Sequence, residues 1–214
     1  MENKVLSKTL LWMFLGLLVT GIVSWYTFKT GLMFQFVFNN TFSILLIVEI
    51  IVVLLFSFLF KKLPPAVVAI LYFVYAIING VTLSTIFFAF EIESIFICFF
   101  TAAIGFATIG FLGYKTNMDL GRFAPMLYGF LIAAIITSVI NLFTQSSTFD
   151  LVISWVVLIV FFGITAYDIQ RIKRLQYTDI IPENKLHIYG AMEIYLDFIN
   201  IFLRLLSIFG KRKN

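Results

Sequence analysis

Runs of about twenty residues with almost no charge recur along the whole chain, and that is the length a helix needs to span the hydrocarbon core of a bilayer. Inside lipid every backbone N–H and C=O must be satisfied within the protein, so such runs fold as helices. The composition agrees. Of 214 residues 62% are hydrophobic and only 12% charged, whereas a soluble domain is nearer half apolar and a quarter charged. The chain therefore reads as an all-α polytopic membrane protein, a single membrane domain over residues 1–214. Seven transmembrane helices are expected, at 9–28, 41–60, 66–90, 94–114, 123–143, 151–168 and 187–209. Charge, proline and polar clusters mark the breaks at 61–65, 91–94, 115–122 and 144–148, and the longest connection follows Asp168. The first apolar run follows eight residues and has no small-residue cleavage site, so it is expected to be a retained helix, not a signal peptide.

Lysine and arginine set the expected orientation. The N-terminus and the second, fourth and sixth loops carry ten: Lys4, Lys8, Lys61, Lys62, Lys115, Arg122, Arg171, Lys173, Arg174 and Lys185. The first, third and fifth loops carry Lys29 alone. The N-terminus is expected in the cytoplasm. Seven crossings then place the basic tail from Lys211 to Lys213 outside, against the rule, and a full crossing is favoured because a short tail seldom outweighs the other loops.

Five ionisable residues fall inside the expected spans: Glu49, Asp168, Glu193, Asp197 and Arg204. A charge at mid-helix costs about 2.5–3.5 kcal/mol on insertion scales, so each needs a partner or a wet cavity. The plain reading is a structural ion pair or a side chain snorkelling to the interface. It suits Asp168, close to the inner end of its span. It suits Asp197 less, which lies twelve residues beyond Lys185, or roughly 18 Å at helical rise. Glu49 and Arg204 both fall in the outer half and are expected to pair. In the last span Glu193, Asp197, Asn200 and Arg204 follow at steps of four, three and four, which lines them along one face. A helix with a polar stripe and apolar flanks belongs at the centre of the bundle, its stripe toward an internal cavity. Gly80, Gly105, Gly110, Gly129 and Gly163 would permit close helix approach, and the many phenylalanines read as lipid-facing bulk.

Several classes fall away. No basic run is interleaved with aromatics in a soluble segment, so nucleic acid is not an expected partner. One cysteine, Cys98, and one histidine, His187, leave no disulfide framework and make a Cys/His metal site implausible. No span contains the lysine that a retinal Schiff base requires, and His187 at a membrane boundary has no serine elbow to serve. No enzyme activity and no cofactor are expected. An intramembrane aspartyl protease is the remote alternative, because Tyr167-Asp168 and Asp197 resemble its pair of aspartates on adjacent helices. Its second aspartate sits in Gly-x-Gly-Asp, however, where this chain has Ile194-Tyr195-Leu196-Asp197, and its Pro-Ala-Leu motif is missing.

Three stretches together resemble the Bax inhibitor-1 family, the transmembrane Bax inhibitor motif proteins with their bacterial YccA-like members. They are GITAYDIQRIKRL from Gly163, YGAMEIYLDFINIFLRLLSIFG from Tyr189 and NGVTLSTIF from Asn79; GFLGYKTNMDLGRF and SVINLF fit as well. The short N-terminus lacks a proline-rich extension and points to a bacterial-type member in a plasma membrane. The resemblance implies seven helices with the last one central. It also implies a di-aspartyl pH sensor and a pH-dependent calcium leak, with Asp168 and Asp197 at the matching positions. One departure concerns the inner end of the second span. Some bacterial members have an arginine there that can pair with the sixth-span aspartate, where this chain has Phe60 followed by Lys61 and Lys62. Lysine supplies the charge but not a bidentate fork.

The chemistry is consistent on its own terms. Two carboxylates close together do not both ionise cheaply and share a proton. Two aspartates with Asn200, carbonyls and water would hold calcium weakly and transiently, as a leak requires, since a stable site wants six to eight oxygens. Glu193 competes as a partner for Asp168. Calcium, protons and the lipid bilayer are thus the expected partners. A second reading, from what the resemblance implies of other members, is a membrane-embedded modulator of a membrane protease or of a cell-death or stress partner.

Overall fold

The computed structural model describes residues 4–38, 41–178 and 180–213, and every regular element among them is helical apart from one isolated bridge between Phe90 and Arg212. The helices are α1 (Lys4–Thr30), α2 (Leu32–Phe38), α3 (Thr41–Leu59), α4 (Pro65–Leu83), α5 (Ile86–Ala89), α6 (Ile92–Lys115), α7 (Ala124–Thr144), α8 (Ser147–Leu175) and α9 (Glu183–Phe209). A short 3-10 turn, Leu120–Phe123, precedes α7. The expected spans fall on helices, the third divided between α4 and α5, with ends displaced by up to seven residues.

Three local differences have identifiable causes. The first loop holds a further helix, α2. Gly31, at φ +70°, supplies the left-handed turn that ends α1 and starts α2, a conformation only glycine adopts freely. The third span breaks after Leu83. There Thr82, Ser84 and Thr85 each donate a side-chain hydroxyl to the carbonyl three residues back, offering the backbone an alternative to the helical ladder. The sixth helix does not stop near Asp168 but continues to Leu175, which shortens the following connection to 176–182. Apolarity ends at Asp168, but the helix does not, because Gln, Arg, Lys and Leu are good helix formers and Lys173 and Arg174 suit a C-terminal turn.

Among the described residues, five helical stretches are long and apolar enough to cross a membrane: Lys4–Thr30, Pro65–Ala89, Ile92–Lys115, Leu120–Asn141 and Ser147–Leu175. Ser43–Leu59 is apolar but shorter, and α9 is long enough but carries the polar stripe. Large apolar side chains cover the outside, among them Phe58 at 75% and Phe143 at 86% exposure. Soluble monomers do not expose apolar surface on this scale.

The chain forms two compact units, and α9 contributes to both. The first comprises Met1–Ala89, Leu175–Tyr195 and Lys213. Here α1 and α4 lie so close that a Cβ on Gly80 would fall 2.8 Å from the Thr20 carbonyl oxygen, and the Tyr72 hydroxyl donates to the Trp12 carbonyl at 2.9 Å. Residues at and beyond the ends of α9 bond to both ends of the α4–α5 stretch in this unit. Lys185 at its start donates to the carbonyls of Phe60, Lys61 and Leu63, just before α4. Lys213, just past its end, donates its backbone N–H to Ala89 O and its ammonium to Phe87 O in α5.

The second unit comprises Phe90–Arg174 and Leu196–Arg212. Phe198 is packed edge-on by Phe99 and Phe106, and a Cβ on Gly113 would meet the Ala166 carbonyl at 2.3 Å, so α6 and α8 touch backbone to backbone. Gly113 and Gly16, which the sequence did not single out, are close-approach positions, whereas Gly129 has nothing within 4 Å of such a Cβ.

Candidate functional site: buried acids in membrane helices

Asp168 and Asp197 both belong to the second unit, and both are almost completely buried, at 4% and 3% exposure. Because α8 runs on past Asp168, Arg171 lies one helical turn further along, with Nη1 4.0 Å from Asp168 Oδ1. The sequence reading ended the span at Asp168 and so placed no cation beside it. The three-residue step from Asp168 to Arg171 was the available signal. Neither aspartate is isolated, since each takes part in further polar or electrostatic interactions. Asn200, expected to support them, donates its amide N–H to the Leu196 carbonyl at 2.8 Å on its own helix. Glu193 lies in the first unit and accepts a hydrogen bond from Tyr189, one turn earlier on α9.

On the far side of Asp168 the loop before α7 is tied to α8. The Gln170 amide, 5% exposed, donates to the Met118 carbonyl at 2.8 Å and accepts from the Leu120 N–H at 3.0 Å. Arg174 pairs with Asp119, which also accepts from the Gly121 N–H. That hydrogen bond from Arg174, helped by the Gly121 N–H, holds the exposed Asp119 carboxyl below the usual carboxylate range. Lys173 donates to the Tyr114 carbonyl at 3.2 Å and sits over its ring. Tyr114, Asp119, Gln170 and Arg174 were missed as a group, because Gln170 bonds backbone groups, the Tyr114 carbonyl takes Lys173, and Arg174 and Asp119 lie too far apart in sequence for a spacing rule to join them.

Glu49 occupies a different kind of centre in the first unit. Its carboxylate accepts from the Asn79 amide and from the Thr82 hydroxyl at 3.3 Å, and the Tyr75 hydroxyl faces it too. Asn79 Oδ1 accepts from the Tyr195 hydroxyl at 3.0 Å, and Tyr195 meets the Thr20 hydroxyl at 2.7 Å. Arg204, in the second unit, has Asp150 as the charge acting on it. Glu49, expected to pair with Arg204, thus has hydrogen-bond donors within its own unit.

Just past the C-terminal end of α3, Phe60 is buried and stacks on Tyr189 with ring centroids 4.3 Å apart, while Lys61 and Lys62 are exposed. The buried Lys185 ammonium satisfies three carbonyls at that helix end. At the opposite end of α9, Lys211 pairs with Glu91 at 2.9 Å, which raises the Lys211 ammonium above the usual lysine range. A polar cleft of about 650 Å³ opens in the second unit between Asn141, Gln145, Ser146, Asp150, Ser207 and Arg212. Among the described residues no group of three or more His, Cys, Asp and Glu side chains is gathered as a metal site.

Long apolar helices enclosing buried carboxylates define an integral membrane protein with ionisable groups inside the membrane. The chain belongs to the Bax inhibitor-1 family: residues 2–214 match the family described as inhibitor of apoptosis-promoting Bax1. It is similar to the inner membrane protein YbhL of Escherichia coli K12, 35% identical over 208 residues that cover 94% of this chain and 89% of that one. An uncharacterised protein of Borreliella burgdorferi is 31% identical over 218 residues, covering 100% and 94% of the two chains. One from Rickettsia prowazekii is 31% identical over 215 residues, covering 99% and 91%.

Proposed function

We propose that the chain is a pH-sensitive cation leak, with calcium as the permeant ion and the proton occupancy of Asp168 and Asp197 as the control. The observation that carries this reading is the near-complete burial of two carboxylates on α8 and α9 within one compact unit. Two buried acids close enough to interact titrate as a unit. Protonated, the pair is neutral and offers a cation nothing; deprotonated, it repels itself or binds a passing cation. Arg171 offsets part of the Asp168 charge, which keeps cation binding weak enough for release. The polar cleft beside Asp150 supplies water to the same unit.

The proposed topology has seven crossings with α9 central, the N-terminus in the cytoplasm and the chain in a bacterial plasma membrane. Lys185 bonding the carbonyls before α4 and Lys213 those of α5, at opposite ends of one helical stretch, support a full crossing by α9, since a re-entrant segment would return to the end it left. The Lys211–Glu91 pair and the contacts of Lys213 absorb the charge of the tail on the outer side. Labelling of a cysteine engineered at the tail should therefore occur on intact cells.

The test is calcium efflux from liposomes holding the purified full chain, followed across the pH range. Efflux that changes steeply near neutrality is expected. No flux at any pH would contradict the leak and favour a membrane-embedded modulator of another membrane protein.

A further inference from the structure

The polar chain in the first unit has a property that a simple structural network lacks. Each of its hydroxyls stands between two acceptors, yet a hydroxyl has one hydrogen to give. Thr82 Oγ1 is 3.3 Å from Glu49 Oε2 and 3.0 Å from the Asn79 carbonyl. Thr20 Oγ1 is 2.7 Å from the Tyr195 hydroxyl and 2.9 Å from the Ala76 carbonyl. Tyr195 itself lies between Thr20 at 2.7 Å and Asn79 Oδ1 at 3.0 Å. Tyr195 is fully buried and Thr20, Asn79 and Thr82 nearly so, so water does not relieve the choice.

Two arrangements use every hydrogen once. With Glu49 ionised, Thr82 and the Asn79 amide donate to its carboxylate, Tyr195 donates to Asn79 Oδ1, and Thr20 donates to Tyr195. With Glu49 protonated, its own hydrogen goes to Asn79 Oδ1 after the amide turns over. The Asn79 amide then donates to Tyr195, Tyr195 to Thr20, Thr20 to the Ala76 carbonyl and Thr82 to the Asn79 carbonyl. Amide orientation and hydroxyl hydrogens follow from the network, so both arrangements share one heavy-atom geometry.

We infer that Glu49 is a second proton-binding site, and that its protonation reverses a hydrogen-bond chain running from α3 through Asn79 and Tyr195 to Thr20 on α1. The groups facing it favour this role. Asn79, Thr82 and Tyr75 come from α4, and Tyr195 comes from α9. The helix α2 offers one polar side chain, Gln35. All are neutral, so the carboxylate is stabilised by donors that can turn away and not by a fixed cation. The site uses neither Asp168 nor Asp197, and it stands whether or not calcium passes.

The test is pH-difference infrared spectroscopy of the full chain in lipid vesicles. The wild type should show a carboxyl C=O band and a tyrosine C–O band that titrate together. Glu49→Gln should abolish both. Tyr195→Phe should abolish the tyrosine band and move the carboxyl band, while Tyr75→Phe leaves a responding tyrosine in place. The Asp168→Asn/Asp197→Asn double variant should retain the pair of bands. Both bands surviving Glu49→Gln, or the tyrosine band surviving Tyr195→Phe, would overturn the inference. Should Glu49→Gln not fold, Glu49→Asp replaces it: the carboxyl band must move, and one that stays unchanged belongs to another acid.

Discussion

The two units bury their acids in opposite ways. In the first, Glu49 is surrounded by neutral donors, and its surroundings extend as a hydrogen-bond chain to Tyr195 and Thr20. In the second, Asp168 has a guanidinium one turn away, and the loop beyond it is held by Gln170 and Arg174. A carboxylate held by neutral donors can lose or gain a proton by turning hydroxyls. One beside a fixed cation keeps a net charge relation that a passing cation can disturb. On the proposed reading, the difference separates a proton site held by neutral donors from a proton-controlled cation path.

The largest stability effect is expected where the donors are removed from the first unit. Asn79→Leu strips the Glu49 carboxylate of its amide donor and Tyr195 of its acceptor, and should cost about 2–4 kcal/mol, since a hydrogen bond to a charged group is worth roughly 1.5–3 kcal/mol. Denaturant unfolding in detergent measures it. A loss below about 1 kcal/mol would break the contrast, because the network would then carry little.

Next comes Gln170→Leu in the second unit, which removes two neutral hydrogen bonds to the 118–120 backbone and should cost about 1–2 kcal/mol. Hydrogen exchange should speed up at residues 116–123 and leave the first unit unchanged. Exchange that rises equally in both units would mean that the clamp is not local.

A double-mutant cycle between Glu49→Gln and Arg204→Gln sharpens the comparison from another side. With Glu49 held by donors in its own unit, the two changes should add to within about 0.5 kcal/mol. A coupling of several kcal/mol would restore the ion pair expected from the sequence and leave Glu49 no reason to take up a proton.

The smallest effects are the exposed pairs. Asp119 titrates below its unfolded value, so its pairing with Arg174 is in force above the ordinary carboxylate range and is lost as the pH falls through the depressed value. Lys211 titrates above its unfolded value, so its pairing with Glu91 holds below the ordinary lysine range and is lost as the pH rises through the raised value. Exchange at loop 116–123 should thus increase on strong acidification, and at the tail in strong alkali. Asp119→Asn should remove the first dependence and leave the second.

Helices were legible because apolar length is a direct physical requirement of the bilayer, and five of the expected spans lie on stretches long and apolar enough to cross it among the described residues. Asp168, Asp197 and Glu49 were legible for the converse reason, as charges where charge is costly. What stayed hidden was local or cooperative. The break after Leu83 depends on where three hydroxyls turn. The extension of α8 was masked because loss of hydropathy was taken for loss of helix, and with it went Arg171. The Lys185 cap and the Gln170 clamp join side chains to backbone atoms far away in sequence, and Tyr195 looked like one more aromatic among many.

The central claim is that Asp168 and Asp197 act as one proton-controlled unit in calcium passage. It is tested most directly by calcium flux in liposomes across pH for the wild type, Asp168→Asn, Asp197→Asn and the double variant. Either single change should flatten the steep dependence near neutrality, and the double variant should add little, because coupled groups do not contribute independently. A pH profile left intact by both single changes would contradict the account.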